Sequence, residues 1–156
     1  MRALFGGAVI CFAIAFGLSA ADNANLSGTW QLNLAKSHWD SKPKPIGVML
    51  VIDHKDPSLQ YEGTVTQTTE DARKFSFQGA IDGKQYPIAT SVGSGVAILR
   101  RINAATIESE FHSSDGKSSE TARTSVSSDG KTLTRTITEK TPEAGTKTWT
   151  EVYDRR

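Results

Sequence analysis

The sequence contains a single cysteine, almost no net charge and few histidines, and each shortage excludes a class of protein. Cys11 lies in an apolar run near the N-terminus, so a chain cleaved after that run has no cysteine for a disulfide. The 18 basic residues are balanced by 17 acidic ones, and without a basic excess nucleic acid is a poor partner. The three histidines are at least 16 residues apart, with no metal-binding spacing among them. We therefore expect neither a metal site nor a cofactor.

The N-terminal segment has the three parts of a secretory signal peptide. Met1 and Arg2 precede an apolar run from Ala3 to Leu18, and Ser19-Ala20-Ala21 supplies the small residues of a cleavage site. We expect cleavage after Ala21, which removes residues 1–21 of the 156 and leaves residues 22–156 as one domain. The protein is then expected to be exported, to the periplasm or outside the cell, without a transmembrane segment.

The remainder of the chain alternates between apolar and polar residues in short segments, which is typical of β-strands with one buried face. The dipeptides Asp82-Gly83, Asp115-Gly116 and Asp129-Gly130 separate such segments and favour tight hairpins. The pattern predicts an all-β domain, an antiparallel up-and-down meander that closes into a barrel and so leaves no free edge. It contains about ten strands, near residues 28–34, 47–54, 59–67, 73–81, 85–90, 95–102, 105–112, 118–127, 131–139 and 146–154.

Helical and catalytic patterns are scarce. The best place for a short helix or 3₁₀ turn is Leu34 to Trp39. His54, between Asp53 and Lys55 and shortly before Pro57, is typical of a solvated turn. No Gly-x-Ser-x-Gly nucleophile motif occurs. We therefore do not expect an enzyme.

The two ends of the domain resemble those of a calycin barrel, the fold of lipocalins and fatty-acid-binding proteins. Asn25-Leu26-Ser27-Gly28-Thr29-Trp30 contains the Gly-x-Trp motif that opens such barrels, and Thr150 to Arg155 is similar to the last strand of fatty-acid-binding proteins. The resemblance implies that Gly28 lets the chain bend and that Trp30 closes the narrow end. It also implies that Arg155 or Arg156 lies across the indole as a cation–π partner.

A wider similarity connects the chain to small secreted lipocalin-like proteins of bacteria, whose function is not established. It includes Asp82 to Ile88 and Ser128 to Thr134 and spans most of the mature chain. This similarity implies a lipocalin-like barrel and an exported protein, but no activity.

Two features of the sequence differ from the pattern of fatty-acid-binding proteins. Those proteins hold the ligand carboxylate with an Arg-x-Tyr pair on the last strand, and here Glu151 stands at the arginine position before Tyr153. A carboxylate would be repelled there unless another base neutralised Glu151. In addition, residues 35–46 are too few and too rich in proline to form the helical lid of that family.

Charged residues interrupt three apolar faces. Arg100 lies between Ile98 and Ile102, Arg135 between Leu133 and Ile137, and Glu151 between Trp149 and Tyr153. If these faces point inward, the charges share the barrel interior, where they must be paired. Either an arginine binds a polar or anionic ligand group with Tyr153 beside it, or the arginine and glutamate satisfy each other.

Aromatic residues define a second set of candidates. Tyr61, Phe75, Phe77 and Phe111 fall on the apolar faces of successive strands. They either line a cavity or fill the barrel, and ten strands enclose more volume than the eight whose side chains just fill it.

The leading hypothesis is an exported, monomeric binding protein for a small, largely hydrophobic molecule. An interaction or structural protein with a filled barrel is the first alternative, and a barrel isomerase or cyclase using Glu151 or Tyr153 is the second. The candidate ligand-binding residues are Tyr61, Phe75, Phe77, Arg100, Phe111, Arg135, Trp149, Glu151 and Tyr153.

Overall fold

A computed structural model describes residues 23–39, 44–68, 72–90 and 93–156. The expected signal peptide, residues 1–21, lies outside the described residues. The described part of the chain contains eleven strands: β1 (Gly28–Leu32), β2 (His38–Trp39), β3 (Gly47–Lys55), β4 (Ser58–Thr66), β5 (Ala72–Ala80), β6 (Gln85–Thr90), β7 (Gly93–Asn103), β8 (Thr106–Ser113), β9 (Ser119–Val126), β10 (Thr132–Thr141) and β11 (Gly145–Arg155).

Ten of these strands form a closed antiparallel barrel. Strands β3 to β11 each pair with the next in the chain, and β1 pairs with both β3 and β11. The closure registers Trp30 with Arg155 and Leu32 with Tyr153. The ten strands coincide closely with the predicted segments, so the prediction of a meander of about ten strands that closes into a barrel is confirmed. No helix within the described ranges is long and apolar enough to cross a membrane.

The segment after β1 matches the expectation only in part. A turn does form after Asn33, but it does not continue as a helix: the chain makes a single turn, in which the amides of Lys36 and Ser37 both donate to the carbonyl of Asn33. It then returns as β2 to pair with β11, with Trp39 opposite Trp149. The turn therefore ends β1, and after it β2 pairs with the same neighbouring strand, β11. Asn33 stabilises it because its side-chain oxygen accepts from two turn amides.

Hairpin turns occur at the expected Asp-Gly dipeptides, but their loops are longer than the two residues of a tight hairpin. Gly116 and Gly130 have φ of 67° and 70°, and no other residue type in the described ranges has positive φ. The tight type I′ turn needs two such residues, so these hairpins are wider than two residues. Asp115 and Asp129 instead accept hydrogen bonds from the amides two residues on.

One end of the barrel is closed around Trp30, which is fully buried. Its indole nitrogen donates to the carbonyl of Leu26 over 2.8 Å. The guanidinium carbon of Arg155 lies 4.2 Å from the centroid of the Trp30 ring, and Arg155 also donates to the carbonyls of Ser27 and Gly130. Gly28 has φ of 137°, and a side chain there would collide with the Arg155 guanidinium. Trp30, Arg155 and Gly28 therefore pack against one another and close this end of the barrel.

His54 belongs to this closed end, so its interpretation as part of a solvated turn is wrong. Only 5% of the residue is exposed, and its Nδ1 accepts from the amide of Leu26 over 3.1 Å. Asp56 lies 3.5 Å from its Nε2 and pairs with Arg101 at 2.7 Å. The turn contains Asp56 and Pro57, one residue beyond the end of β3, which leaves His54 on the inward face of that strand.

Position 95 requires glycine because there is no space for a side chain there. A Cβ there would lie 2.3 Å from the carbonyl oxygen of His112 and 2.5 Å from the ring of Phe111. We expect Gly95→Ala to lower the free energy of unfolding by about 2 kcal/mol because the neighbouring backbone must move. Gly47→Ala is the matched control, since its nearest neighbour would be Gln31 at 3.9 Å. Chemical denaturation measures both, and an equal loss in the two variants would contradict this reasoning.

Candidate functional site

The interior of the barrel contains a cavity of about 340 Å³. It opens at the end opposite Trp30, where Pro45 precedes β3, Gln67 follows β4 and Arg73 is the second residue of β5. Strand alternation supplies its walls, because every second residue of each strand points inward. A smaller apolar cavity of about 60 Å³ lies deeper, and Tyr61, Phe75, Ser109 and Arg135 line both. These four residues therefore lie between the two cavities.

The structure brings together seven of the nine candidate residues. The residues that line the larger cavity are Tyr61, Phe75, Phe111, Arg135, Trp149, Glu151 and Tyr153. Phe77 is buried behind this wall and stacks on Tyr61 with ring centroids 5.2 Å apart. It supports the cavity without lining it.

Arg100 does not face the interior, which corrects the expectation for that residue. Its side chain is 44% exposed and forms an ion pair with Glu110 on the outer surface. The inward positions of β7 are those of Ala97, Leu99 and Arg101, one residue out of phase with Arg100. Ile98 and Ile102 do share a face with Arg100, but that face is the outer one, and Ile102 is half exposed.

Arg135 is held between two carboxylates inside the cavity. Its guanidinium nitrogens lie 3.6 Å from Glu151 Oε2 and 3.5 Å from Glu120 Oε1. Side-chain exposure is 21% for Arg135, 10% for Glu151 and 30% for Glu120. Glu151 therefore lies deepest and Glu120 lies nearer to solvent.

Two further donors bind Glu151. The Trp149 indole nitrogen donates to Oε1 over 2.9 Å, and the Tyr153 hydroxyl donates to Oε2 over 2.6 Å. All three residues lie on the inward face of β11, two positions apart. Each oxygen of this buried carboxylate thus has a hydrogen-bond partner, as a buried charge requires.

The electrostatic surroundings shift the pKa of three members of the cluster. Burial alone lowers the pKa of Arg135, but the attraction of Glu151 and Glu120 outweighs it and the net pKa is raised. Burial, followed by the charge of Glu151, raises the pKa of Tyr153 well above its ordinary value. Burial also raises the pKa of Tyr61 to about 12. Arg135 is therefore charged and both hydroxyls are neutral donors at neutral pH.

The aromatic rings lie against the barrel wall because glycine faces them on the neighbouring strand. A Cβ at Gly63 would overlap the Phe75 ring at 2.0 Å, and one at Gly95 would lie 2.5 Å from the Phe111 ring. Phe75 occupies the space that a side chain on its cross-strand partner Gly63 would fill. This arrangement gives the cavity an aromatic surface and keeps its centre empty.

Glu120 and Trp39 are among the cavity residues that sequence reasoning missed. Glu120 was overlooked because β9 carries polar residues on both faces, so the alternation does not show which face is inward. Trp39 was overlooked because it ends the segment expected to form a short helix or 3₁₀ turn. Its ring stacks on Trp149 with centroids 6.3 Å apart and closes one side of the cavity. The inward Ala122 and Val126, two and six residues after Glu120, were the only sequence indication of its orientation.

Comparison with known proteins supports the fold. No protein-family model matches the chain, and a search of curated proteins finds no match. Among solved structures, a fatty acid binding protein of Schistosoma mansoni in complex with arachidonic acid matches with a TM-score of 0.57 and 11% identity. The match covers 84% of this chain and 96% of that one. The chain therefore has the fold of a calycin barrel, as its sequence resemblance implied.

The charged cluster predicts that the contributions of Arg135 and Glu151 to the free energy of unfolding depend strongly on each other. Glu151→Leu leaves the guanidinium with one carboxylate and removes the acceptor of Trp149 and Tyr153. We expect a loss of about 3 kcal/mol in the free energy of unfolding. The double variant with Arg135→Leu should lose clearly less than the sum of the two single variants, because the buried guanidinium that Glu151 neutralises is removed together with it. Urea denaturation of the four proteins measures this coupling, and simple additivity would contradict it.

The raised pKa of Tyr61 predicts that the protein loses stability at alkaline pH. Its pKa is raised from 10.0 to about 12 in the folded protein, so above pH 10 the unfolded chain loses this proton more readily than the folded one. Stability is complete below pH 10 and falls as pH rises towards 12. We expect Tyr61 to contribute about 1 kcal/mol of this loss at pH 11. The stability difference between wild type and Tyr61→Phe should stay constant from pH 7 to 9 and then shift in favour of the variant.

Proposed function

We propose that this protein binds a small, largely hydrophobic molecule in the cavity of the barrel. The observation that carries the proposal is the cavity itself, about 340 Å³ in volume, open at one end and walled by aromatic side chains. Ligand sites in proteins are typically apolar clefts of roughly 300–1,000 Å³ with a few polar groups that orient the ligand. Arg135, Glu151 and Tyr61 are such groups, and aromatic and aliphatic side chains form most of the remaining wall.

The structural match is consistent with this proposal. The Schistosoma mansoni protein is described as a fatty acid binding protein and was solved with arachidonic acid. At 11% identity the likeness supports a common fold and not a common ligand. The chemistry of the ligand must therefore come from the residues of this cavity.

The cavity favours binding over the two alternative functions. A filled barrel would have no void beside Tyr61 and Tyr153, whereas both line the cavity. An isomerase or cyclase would need an acid or base able to exchange a proton with its substrate. Both oxygens of Glu151 accept hydrogen bonds from neighbouring side chains, and one of those donors is Tyr153 itself. We infer that these two residues shape and polarise the cavity.

We extend the proposal to the setting in which the protein acts. The apolar run and small residues before Asp22 support export, so the ligand would be met in the periplasm or outside the cell. Closure of the sheet leaves no free strand edge among the ten barrel strands, which supports a monomer.

Partial filling of the cavity tests the proposal. Ala97 is buried and lines the cavity, so Ala97→Leu places a larger side chain in the void. We expect wild-type protein to bind the neutral apolar dye Nile red saturably, and Ala97→Leu to bind it about tenfold more weakly. Val96→Leu is the control, since position 96 faces the outside on the same strand. Thermal unfolding of both variants separates lost binding from lost folding.

Native mass spectrometry provides the complementary measurement. Protein purified from its own source should retain a small molecule, and the Ala97→Leu variant should retain less of it. A wild-type protein that retains nothing, binds no Nile red and shows no thermal shift with any apolar compound would contradict a binding function and favour the interaction protein.

A further inference from the structure

A short segment that belongs to no strand lies against the closed end of the barrel. Residues 23–27, called the N-terminal strap below, precede β1. Leu26 is 4% exposed and lines the deeper cavity, so the strap forms part of the wall of that cavity. We propose that His54 is a pH-dependent switch: neutral His54 holds the strap closed, and protonation of His54 releases residues 23–26 and opens the deeper cavity at this end.

Three hydrogen bonds connect the strap to His54. The amide of Leu26 donates to Nδ1 of the imidazole over 3.1 Å. The hydroxyl of Ser27 donates to the carbonyl of His54 over 3.0 Å and accepts from its amide over 2.8 Å. Only the first bond involves the imidazole, and it requires that Nδ1 carry no proton. The single proton of the neutral ring is therefore on Nε2.

The other nitrogen of the ring has no comparable contact. Nε2 is buried and has no hydrogen-bond partner among the residues that the structure describes. Asp56 Oδ1 is 3.5 Å away, which is too long for a direct hydrogen bond. A buried donor without a partner is unfavourable, so the bond from the strap to Nδ1 is the contact that holds the ring in this orientation.

A second proton on His54 removes the bond to the strap. A protonated imidazole donates from both nitrogens, so two N–H groups would face each other where Leu26 now donates to Nδ1. The His54 side chain is only 2% exposed, so water cannot reach the new charge while the strap is closed. Once the strap opens, the imidazolium is hydrated. Because the proton binds more readily to the open form, lower pH shifts the equilibrium towards that form.

The charged groups that face His54 in the described part of the chain are Asp56, from the turn after β3, and Arg101, from β7. Asp56 accepts from Arg101 over 2.7 Å and from Asn23 over 2.6 Å. The hydrogen bond from Arg101 is the largest cause that lowers the pKa of Asp56, so this carboxylate stays ionised in mild acid. It attracts an imidazolium, whereas the guanidinium beside it repels one. Since the two effects oppose each other, the lost Leu26 bond determines the direction of the switch.

Ser27 marks the limit of the released segment. Its carbonyl accepts from the Arg155 guanidinium, and its hydroxyl binds main-chain groups of His54, which do not titrate. The residues before it are held by the amide of Ala24, which donates to the carbonyl of Ala104 over 2.7 Å, and by the exposed Asn23 side chain. Release therefore moves residues 23–26 away from the barrel and leaves β1 in place. The displacement of Leu26 removes one wall of the deeper cavity.

Hydrogen exchange of the Leu26 amide, followed by NMR and corrected for the intrinsic rate at each pH, measures the opening. We expect the open population to rise about tenfold from pH 7.5 to pH 5.5 in the wild-type protein. In His54→Asn the side-chain oxygen takes the place of Nδ1 as acceptor and does not titrate, so this rise should disappear. His112→Asn is the matched control, because it removes a histidine whose side chain is 52% exposed. It should keep the wild-type rise.

The wild-type protein alone gives an independent test, which matters if His54→Asn does not fold. The ¹⁵N chemical shifts of the His54 ring should show an unprotonated Nδ1 at pH 7.5. They should change with the same midpoint as the exchange of the Leu26 amide. Exchange that does not depend on pH, a different midpoint, or the same pH dependence in wild type and His54→Asn would overturn the switch.

The effect of the switch on a ligand rests on the binding function proposed above. Stopped-flow release of Nile red should be faster at pH 5.5 than at pH 7.5 in the wild-type protein and in His112→Asn, but not in His54→Asn. Release that stays constant while Leu26 exchange rises would show that the strap moves without opening the cavity, and that part of the proposal would be wrong. A protein that binds no Nile red at either pH contradicts the binding function, and hydrogen exchange then decides the switch by itself.

Discussion

The pairing of the first and last barrel strands is the constraint on which the rest of the structure depends. It consists of three registered residue pairs between β1 and β11, one of which places Arg155 over Trp30. The cation–π contact, two backbone carbonyls and a buried indole hydrogen bond all meet there. Because the sheet is one continuous meander, this short seam turns it from an open sheet into a barrel. An interior exists only while the seam is closed.

Closure also determines the chemistry of the interior. Arg135, Glu151 and Glu120 lie on strands β10, β11 and β9, whose inward faces become one surface in the barrel. Taking these charges out of water is unfavourable unless each has a partner. Glu151 meets that requirement through Trp149, Tyr153 and Arg135. The resulting cluster is polar and charged, and aromatic rings lie around it.

The hollow centre follows from where the large side chains are placed. Phe75 occupies space over Gly63 of the neighbouring strand, and Phe111 does the same beside Gly95. Rings positioned along the wall leave the middle of a ten-stranded barrel unfilled. The same barrel with larger residues at these glycines would have to move its rings into the lumen. Small residues on the wall are therefore as important to the cavity as the aromatic residues that line it.

The sequence by itself determined the strands, their antiparallel order, the closed barrel and most of the aromatic lining. These follow from side-chain alternation and turn residues, which are local properties of the chain. Local patterns also showed that Arg100 shares a face with Ile98 and Ile102, but not that this face is the outer one. Nor did they show that Glu120 reaches Arg135 or that His54 is buried. Only the tertiary structure decided these points, because the inward face of a strand with mixed residues is set by the register of its neighbours.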